Sequence, residues 1–448
     1  MTEAPPSLRA WRIAGIATAL MTLAVGLVGR ASDASFGDEA LALLRYHSNL
    51  GDTGVFVWNA ETGHTVGAIS PLQFTLLSAI QVFVHEPTRA LAAASALSGV
   101  VGLIACFVLA RGAARSARDS KLAFDWLVAL VVGLAAVPLA VQFTGGLEAS
   151  LSFAMTGVFT WLWSKRESVD VPVGGLVLGA FGAALFATRA DLGLFGLGVP
   201  LVVAVLARDA ERRQALVALG VAALGTAGVS YWLFALHGSP VPIAFLLRHA
   251  AREPFAPWHE LAHGLVVTAP LWGLVAVELV LRRGAPKLGA RISDHAFGLA
   301  TLAFVLDATV GALAVDVSSL RFLLAALPPL VFLAARAAVG LRRWADWRGR
   351  RPPSTPFVLL AVGAVLAPLP ALWSHVELVR DAYAVRRIAR YESVLTPERC
   401  ARWPGLAELA PLAPPPNDLE RGRLIVACAP AGEVGAALPL AQVVDLSG

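Results

Sequence analysis

The sequence is dominated by apolar runs of about 20 residues, which recur along most of its 448 positions. A helix of that length crosses the hydrocarbon core of a bilayer, which is roughly 30 Å thick. Charged residues make up only 15% of the chain, whereas soluble proteins carry about a quarter. These features predict an all-α polytopic membrane protein.

Eleven segments are predicted as spans. They are residues 11–29, 90–110, 123–142, 149–163, 172–187, 191–207, 214–236, 262–281, 296–315, 321–341 and 357–376. The first follows the charge order of a signal peptide, but it is long enough to cross a bilayer and many spans follow it. We therefore expect an uncleaved first helix.

Basic residues are concentrated in alternate connections, at 111–121, 165–166, 208–213, 282–291 and 342–351. The positive-inside rule places these connections and the N-terminus in the cytoplasm. The net charge of +5 therefore indicates topology, and no nucleic-acid partner is predicted.

Basic connections fall on one side of the membrane only if the short apolar segment 71–84 does not cross the bilayer. We expect that segment to form an interfacial or re-entrant helix.

Two domains are predicted. Residues 1–376 form a transmembrane domain whose first extracytoplasmic loop covers 30–89, and residues 377–448 form a small extracytoplasmic α/β domain. The terminal domain has β-like runs in "GRLIVACAP" and "AQVVDLSG". Little sequence follows the second run, so we expect the sheet to be truncated or completed by a partner element. Cys400 and Cys428 lie in this domain. They can form a disulfide if the domain is extracytoplasmic, where the environment is oxidising.

Asp38 and Glu39 are adjacent carboxylates just beyond the first span. They have a structural explanation as first-turn acids of a helix, favoured by its macrodipole or paired with Arg45. They also have a functional one, because a carboxylate at the membrane boundary can accept a hydroxyl proton or hold a divalent cation such as Mg²⁺, Mn²⁺ or Ca²⁺. Local sequence leaves both open.

The segment "VFVWNAETGHTVGAISPL" is a long loop rich in glycine and polar residues, with Trp58 and Asn59 near its start. Interfacial tryptophans are common, but long loops of this kind often bind ligands. The composition of this loop therefore favours a binding role for it, beside the ordinary explanation of an interfacial tryptophan.

Basic side chains on the predicted outer face lie close to the ends of spans. They are Arg189, Arg248, His249, Arg252, His259, His263 and Arg321, and Asp191 follows Arg189 in the same turn. Arginine near the headgroups can hold a phosphate with its planar fork, or it can simply extend toward water. The functional interpretation predicts a lipid phosphate as a partner.

Successive motifs in the first loop resemble those of a known family. These are an acidic pair opening a helix, Arg45-Tyr46 after it, and then "VWN", "VG" and "SPL". Further motifs follow in order as "GGLEAS", "TRADLG", "HGSPVPIAFLLR" and "LRFLLAALPPL". Together they resemble the GT-C superfamily of membrane glycosyltransferases, and more narrowly its polyprenyl-phosphate-dependent arabinofuranosyltransferase-like group.

The resemblance implies transfer of a sugar from a polyprenyl-phosphate-sugar donor to a hydroxyl of an envelope glycan, lipid or protein. It implies an inverting reaction at the extracytoplasmic face of a bacterial inner membrane. It implies Asp38 as general base, with Glu39 orienting it or sharing a cation. It implies donor-phosphate contacts from Arg189, Arg248 and Arg321. The remaining substrate contacts are assigned to Arg45, Tyr46, Trp58, Asn59, Glu148, Asp191 and His249.

Two other functions remain open on sequence alone. Asp307 lies within a predicted span, and a proton-binding acid there favours a flippase of lipid-linked sugars. A non-catalytic member of the family is the other alternative.

Overall fold

A computed structural model describes residues 38–54, 70–115, 148–166, 170–242, 292–310, 324–347, 425–428 and 442–445. This part of the chain is almost entirely helical. Ten helices are labelled in chain order: α1 Asp38–Thr53, α2 Pro71–Gln81, α3 Pro87–Arg115, α4 Ala149–Lys165, α5 Val171–Thr188, α6 Gly193–Gly196, α7 Gly198–Leu206, α8 Asp209–His237, α9 Ile292–Val310 and α10 Leu327–Trp347. Short 3₁₀ turns, Ala190–Leu192 and Leu324–Ala326, precede α6 and α10.

Three of these helices are long and apolar enough to cross a bilayer within the described residues: Pro87–Leu109, Val171–Thr188 and Asp209–Ala235. Seven predicted spans, from 90–110 to 321–341, lie wholly or partly on described helices. The predicted spans 11–29, 123–142, 262–281 and 357–376 lie outside the described residues. The expectation of a helical, membrane-embedded protein is confirmed, while the number of spans stays a prediction.

Several helices extend beyond the apolar runs that predicted them. α8 begins at Asp209, so Arg212 and Arg213 are helical although their segment was predicted as a connection. α3 likewise continues to Arg115. Hydropathy marks the part of a helix that matches the bilayer, whereas backbone hydrogen bonding continues into polar residues.

α2 is the segment that the charge pattern required not to cross. Its 11 residues give a length of about 16 Å, roughly half the hydrocarbon thickness. The Ser70 hydroxyl accepts a hydrogen bond of 3.1 Å from the Gln73 backbone N–H, and Pro71 follows as the first helical residue. A serine cap followed by proline is a strong helix start, so local sequence defines where α2 begins.

α5 and α8 pack unusually closely because glycines line their contact. A Cβ added at Gly179 would lie 2.5 Å from the Val221 Cβ and 2.6 Å from the Ala218 carbonyl oxygen. One at Gly175 would lie 2.7 Å from the Val217 Cβ. Small residues let helix backbones approach in membranes, where packing replaces the hydrophobic effect as the force between helices.

α3 and α4 run parallel, and two contacts give their register. The ring of Phe153 occupies the space that a side chain at Gly102 would need, and a Cβ at Gly157 would lie 2.7 Å from the Ala105 Cβ. Both contacts advance in the same direction along the two helices. The start of α3 is therefore at the same end of the bundle as the start of α4.

At the other end of α4, charges meet in two pairs. Arg166 forms an ion pair with Glu211 at the start of α8, and its guanidinium stacks over Trp163. Arg336 in α10 lies 2.9 Å from Asp294 in α9. The rings of Trp163, Phe159, Phe297 and Phe332 pack beneath them. These four charged residues are called the paired end.

The predicted β-like runs contain the two described strands, β1 Ile425–Cys428 and β2 Gln442–Asp445. They pair in parallel, with Ile425 opposite Gln442 and Cys428 opposite Asp445. The boundary at 376/377 and Cys400 lie outside the described residues. The terminal domain, its truncation and the Cys400–Cys428 disulfide therefore stay predictions.

Candidate functional site

The acidic pair lies where the sequence predicted it, at the start of a helix. α1 begins at Asp38, and Glu39 is its second residue. The exposed N–H groups at a helix start favour negative charge. The helix start is therefore explained without a ligand, and the assignment of Asp38 as base and of both acids as metal ligands stays a prediction.

Further along α1, Arg45 and Tyr46 are both buried, so the helix turns this face toward the protein. The neighbouring residue His47 contacts the ring of Phe74 in α2, with ring centroids 5.6 Å apart. Burial lowers the pKa of His47 from its ordinary value of 6.5, because the charged imidazolium loses hydration. His47 was not singled out from the sequence, since one histidine among polar residues carries no distinctive signal.

Arg189, Asp191 and Glu148 meet at the end of the bundle where α4 begins. Nε of Arg189 donates to Oδ1 of Asp191 at 3.1 Å, and Nη2 donates to Oδ2. Nη1 of Arg189 lies 3.8 Å from Oε1 of Glu148. Arg189 and Glu148 are each 3% exposed and Asp191 is 6% exposed. These three residues are called the acidic end, because two carboxylates face one guanidinium.

Helix ends explain why these charges are tolerated there. Glu148 is the residue before α4, and Asp191 lies in the turn that leads into α6, so both carboxylates are near helix N-termini. Arg189 ends α5, where the carbonyl groups favour a cation. Glu148 and Arg189 thus lie at ends of long helices whose dipoles favour their charges.

The structure brings together three of the residues predicted from the sequence. Glu148 and Asp191 were assigned to substrate and Arg189 to the donor phosphate. The Nε–Nη2 edge of Arg189 instead holds Asp191, so a phosphate would meet Nη1 or displace that carboxylate. The three roles stay predictions.

Buried hydroxyls near this end were missed by sequence reasoning. Ser95 in α3 and Ser150 and Ser152 in α4 are at most 4% exposed. Their Oγ atoms have no hydrogen-bond partner in the described structure. Serines are common in membrane helices, so only the tertiary packing shows that these hydroxyls are enclosed.

The other predicted site residues lie outside the described part of the chain: Trp58, Asn59, Arg248, His249 and Arg321. Among the residues that the structure describes, no group of three or more His, Cys, Asp or Glu side chains is placed to hold a metal. The adjacent carboxylates of Asp38 and Glu39 are of the hard oxygen type that suits Mg²⁺ or Ca²⁺. Binding of a divalent cation by these two residues stays a prediction.

No known family model and no curated protein sequence matches this chain. Several solved structures do match its fold. One is the crystal structure of ArnT from Cupriavidus metallidurans bound to undecaprenyl phosphate, with a TM-score of 0.58 and 15% sequence identity. The match covers 98% of this chain and 86% of that ArnT chain. The chain therefore has an ArnT-like fold, which confirms at the level of fold the resemblance to GT-C membrane glycosyltransferases.

Proposed function

We propose that this protein is a membrane glycosyltransferase that takes a sugar from a polyprenyl-phosphate-sugar donor. The acceptor is a hydroxyl of an envelope glycan, lipid or protein at the extracytoplasmic face of the bacterial inner membrane. The single observation that carries the proposal is the fold match over 98% of the chain to a protein bound to undecaprenyl phosphate.

Two features of the chain support the proposal independently of that match. The acidic pair opens α1 in the first loop, and the motif order along the sequence resembles the arabinofuranosyltransferase-like group. The start of α3 shares one end of the bundle with Glu148, and α1 packs on α2, which packs on α3. The acidic helix is therefore linked to the bundle that carries the acidic end through α2 and α3.

The proposed reaction is a direct displacement. Asp38 accepts the proton of the acceptor hydroxyl, the hydroxyl oxygen bonds to the anomeric carbon, and the bond from that carbon to the phosphate oxygen breaks. The lipid phosphate leaves with the bonding electrons, stabilised by Arg248 and Arg321 with Arg189. Glu39 orients Asp38 or shares a divalent cation, which would add positive charge beside the leaving phosphate.

Arg45, Tyr46, Trp58, Asn59, Asp191, Glu148 and His249 are proposed to contact sugar or acceptor. The terminal domain is proposed to help bind the acceptor.

The test uses the full chain in liposomes with radiolabelled polyprenyl-phosphate sugars, extracted from the source membrane, and envelope acceptors. Transfer should occur without an ion gradient, and Asp38→Asn should reduce it by roughly 10²–10⁴-fold, the usual contribution of a general base. Asp170→Asn is the matched control, since Asp170 is exposed and lies before α5, away from the acidic end. Its transfer rate should equal that of the wild type.

The same liposomes distinguish the transferase from the two alternative functions, a flippase and a non-catalytic protein. Movement of the labelled lipid across the bilayer without transfer would favour a flippase, and Asp307→Asn would then abolish it. Binding of the lipid with neither transfer nor movement would favour a non-catalytic protein. Full transfer by Asp38→Asn would refute the role of Asp38 as base.

A further inference from the structure

The first half of α8 carries two exposed arginines at the start of an exposed apolar face. Only 17% of the membrane-spanning segment of α8 is buried, against 44% of the corresponding segment of α5. The exposed residues between positions 212 and 224 are Arg212, Arg213, Leu216, Gly220, Ala223 and Leu224. These six residues are called the exposed stripe.

The residues of the exposed stripe share one side of the helix. At 100° per residue they fall within an arc of about 120°. Val217 and Val221 lie beyond that arc, and they meet Gly175 and Gly179 of α5. The stripe is therefore the side of α8 that is turned away from α5.

The arginines of the stripe are available to a ligand, unlike the arginine at the neighbouring end of α4. Arg166 is buried and belongs to an ion pair of the paired end. Arg212 and Arg213 are exposed, and neither is in an ion pair among the described residues. Arg208 and Asp209 precede them and are also exposed, so three arginines and one aspartate leave this end of α8 positively charged. An anion is therefore the complementary partner.

The length of the stripe matches one leaflet of a bilayer. A rise of about 1.5 Å per residue places Leu224 about 17 Å from Arg213 along α8, close to half of the roughly 30 Å hydrocarbon core. Tyr231, which is 73% exposed, lies about 29 Å from Arg212, where an aromatic residue of the opposite interface is expected. The arginines thus lie at the level of the lipid headgroups, and the apolar residues lie at the level of the acyl chains.

Gly220 leaves room for an acyl chain within the stripe. A Cβ added at Gly220 would have no other atom within 4 Å. Leu216 and Leu224 lie one turn to either side, and they are 48% and 76% exposed. Their side chains project beyond the glycine, so the stripe contains a shallow apolar groove in line with the arginines.

We infer that the exposed stripe binds an anionic phospholipid, whose phosphate contacts Arg212 and Arg213 and whose acyl chain lies in the groove at Gly220. Basic residues at a membrane boundary attract anionic headgroups, and the planar guanidinium can donate two hydrogen bonds to one phosphate. The groove adds dispersion contacts along the chain. This site lies at the paired end, and the inference does not depend on the proposed transferase activity.

Native mass spectrometry of the full chain, purified in detergent and stripped of lipid, measures this binding. Phosphatidylglycerol, which is anionic, should bind roughly 30-fold more tightly than zwitterionic phosphatidylethanolamine, at about fivefold for each arginine. The double variant Arg212→Gln/Arg213→Gln should lose most of this preference. Equal affinities for the two lipids in the wild type, or an undiminished preference in the double variant, would overturn the inference.

Arg89→Gln is the matched control for charge. The Arg89 side chain is 70% exposed and lies in the first turn of α3, at the opposite end of the bundle. Its affinity for phosphatidylglycerol should equal that of the wild type, and a loss as large as that of the double variant would overturn the site. Glycerol phosphate in large excess should not displace the lipid. Displacement would assign the arginines to a free phosphate and would also overturn the inference.

Gly220→Leu tests the groove. Leucine fills the groove without contacting α5 and favours the helix more than glycine does, so the variant should fold. Its affinity for phosphatidylglycerol should fall by roughly two- to fivefold, because contacts with the acyl chain are lost. An unchanged affinity would refute the groove.

Gly228→Leu is the matched control for the groove. Gly228 is also exposed, and a Cβ there would likewise have no other atom within 4 Å. It lies about 12 Å further along α8, at the level of the other leaflet. Gly228→Leu should keep the wild-type affinity, and a loss equal to that of Gly220→Leu would refute the position of the chain.

Discussion

The acidic end and the paired end place arginine beside carboxylates in opposite ways. At the paired end, two arginines meet two acids, and the side chains of Glu211 and Arg336 are 33% and 26% exposed. At the acidic end, one arginine meets two acids and all three side chains are at most 4% exposed. Among the described residues, the paired end has equal numbers of arginines and acids and is partly exposed, whereas the acidic end has one more carboxylate than arginine and is buried.

This difference predicts which end is more sensitive to substitution. Balanced, partly exposed pairs contribute little and can simply orient helices at a membrane boundary. A surplus charge held out of water is unfavourable, and such groups are concentrated at functional sites. The acidic end is therefore where variants should affect the protein most.

The largest expected difference comes from removing one arginine at each end. Arg189→Met leaves two buried carboxylates facing each other, and we expect the free energy of unfolding to fall by about 3–5 kcal/mol. Arg166→Met leaves Glu211, which is 33% exposed and can be hydrated, so its loss should be about 1–2 kcal/mol. Thermal and denaturant unfolding in detergent measures both.

Arg189→Lys sharpens this comparison, because it keeps the charge and loses the planar fork that holds both Asp191 oxygens. The free energy of unfolding of Arg189→Lys should therefore lie between that of the wild type and that of Arg189→Met. Equal losses for Arg189→Met and Arg166→Met would remove the distinction between the ends.

A smaller difference should appear in the response to salt. The Arg166–Glu211 pair reaches solvent, so screening should reduce the loss caused by Arg166→Met by roughly half between 0.1 and 1 M NaCl. The loss caused by Arg189→Met should stay nearly constant, since its partners are buried. If salt reduced the losses of Arg166→Met and Arg189→Met equally, the two ion pairs would not differ in their access to solvent.

The smallest expected effect is a pH dependence on the side of the acidic end. Burial holds the pKa of His47 below its ordinary 6.5, so the unfolded chain takes up the proton first as the pH falls. The contribution of the neutral imidazole to the free energy of unfolding is therefore fully present above about pH 6.5, and it is lost as the pH falls below that value. The apparent Tm should fall accordingly between about pH 7.5 and 5.

His47→Phe should flatten that slope and keep the ring contact with Phe74. His295→Gln is the control at the paired end, where His295 is exposed beside Asp294, and it should leave the slope unchanged. A slope that survives in His47→Phe would assign the pH dependence to another group.

Much of the fold was predictable because its signals are local. Apolar runs predicted the helices, Ser70 and Pro71 mark a helix start, and the two β-like runs contain strands. The polar turn around Arg189 and Asp191 was also predicted, and it separates α5 from α6.

The site was less predictable because its contacts depend on tertiary packing. Sequence placed Arg189 and Asp191 in one turn but could not show that they bind each other. Glu148 is 41 positions from Arg189, and only the packing of α4 against α5 brings them together. The parallel pairing of β1 and β2 is another long-range choice that composition does not encode.

The glycine contacts of α5 with α8 have a consequence for biogenesis. Gly175 packs against Val217 and Gly179 against Val221, so α5 and α8 run in the same direction, and the chain between them must first return through α6 and α7. This parallel pair can therefore associate only after α6 and α7 have been synthesised, but it can do so before the segments that follow α8. The later helix α9 would then dock on α6 and α7, which it contacts in the structure.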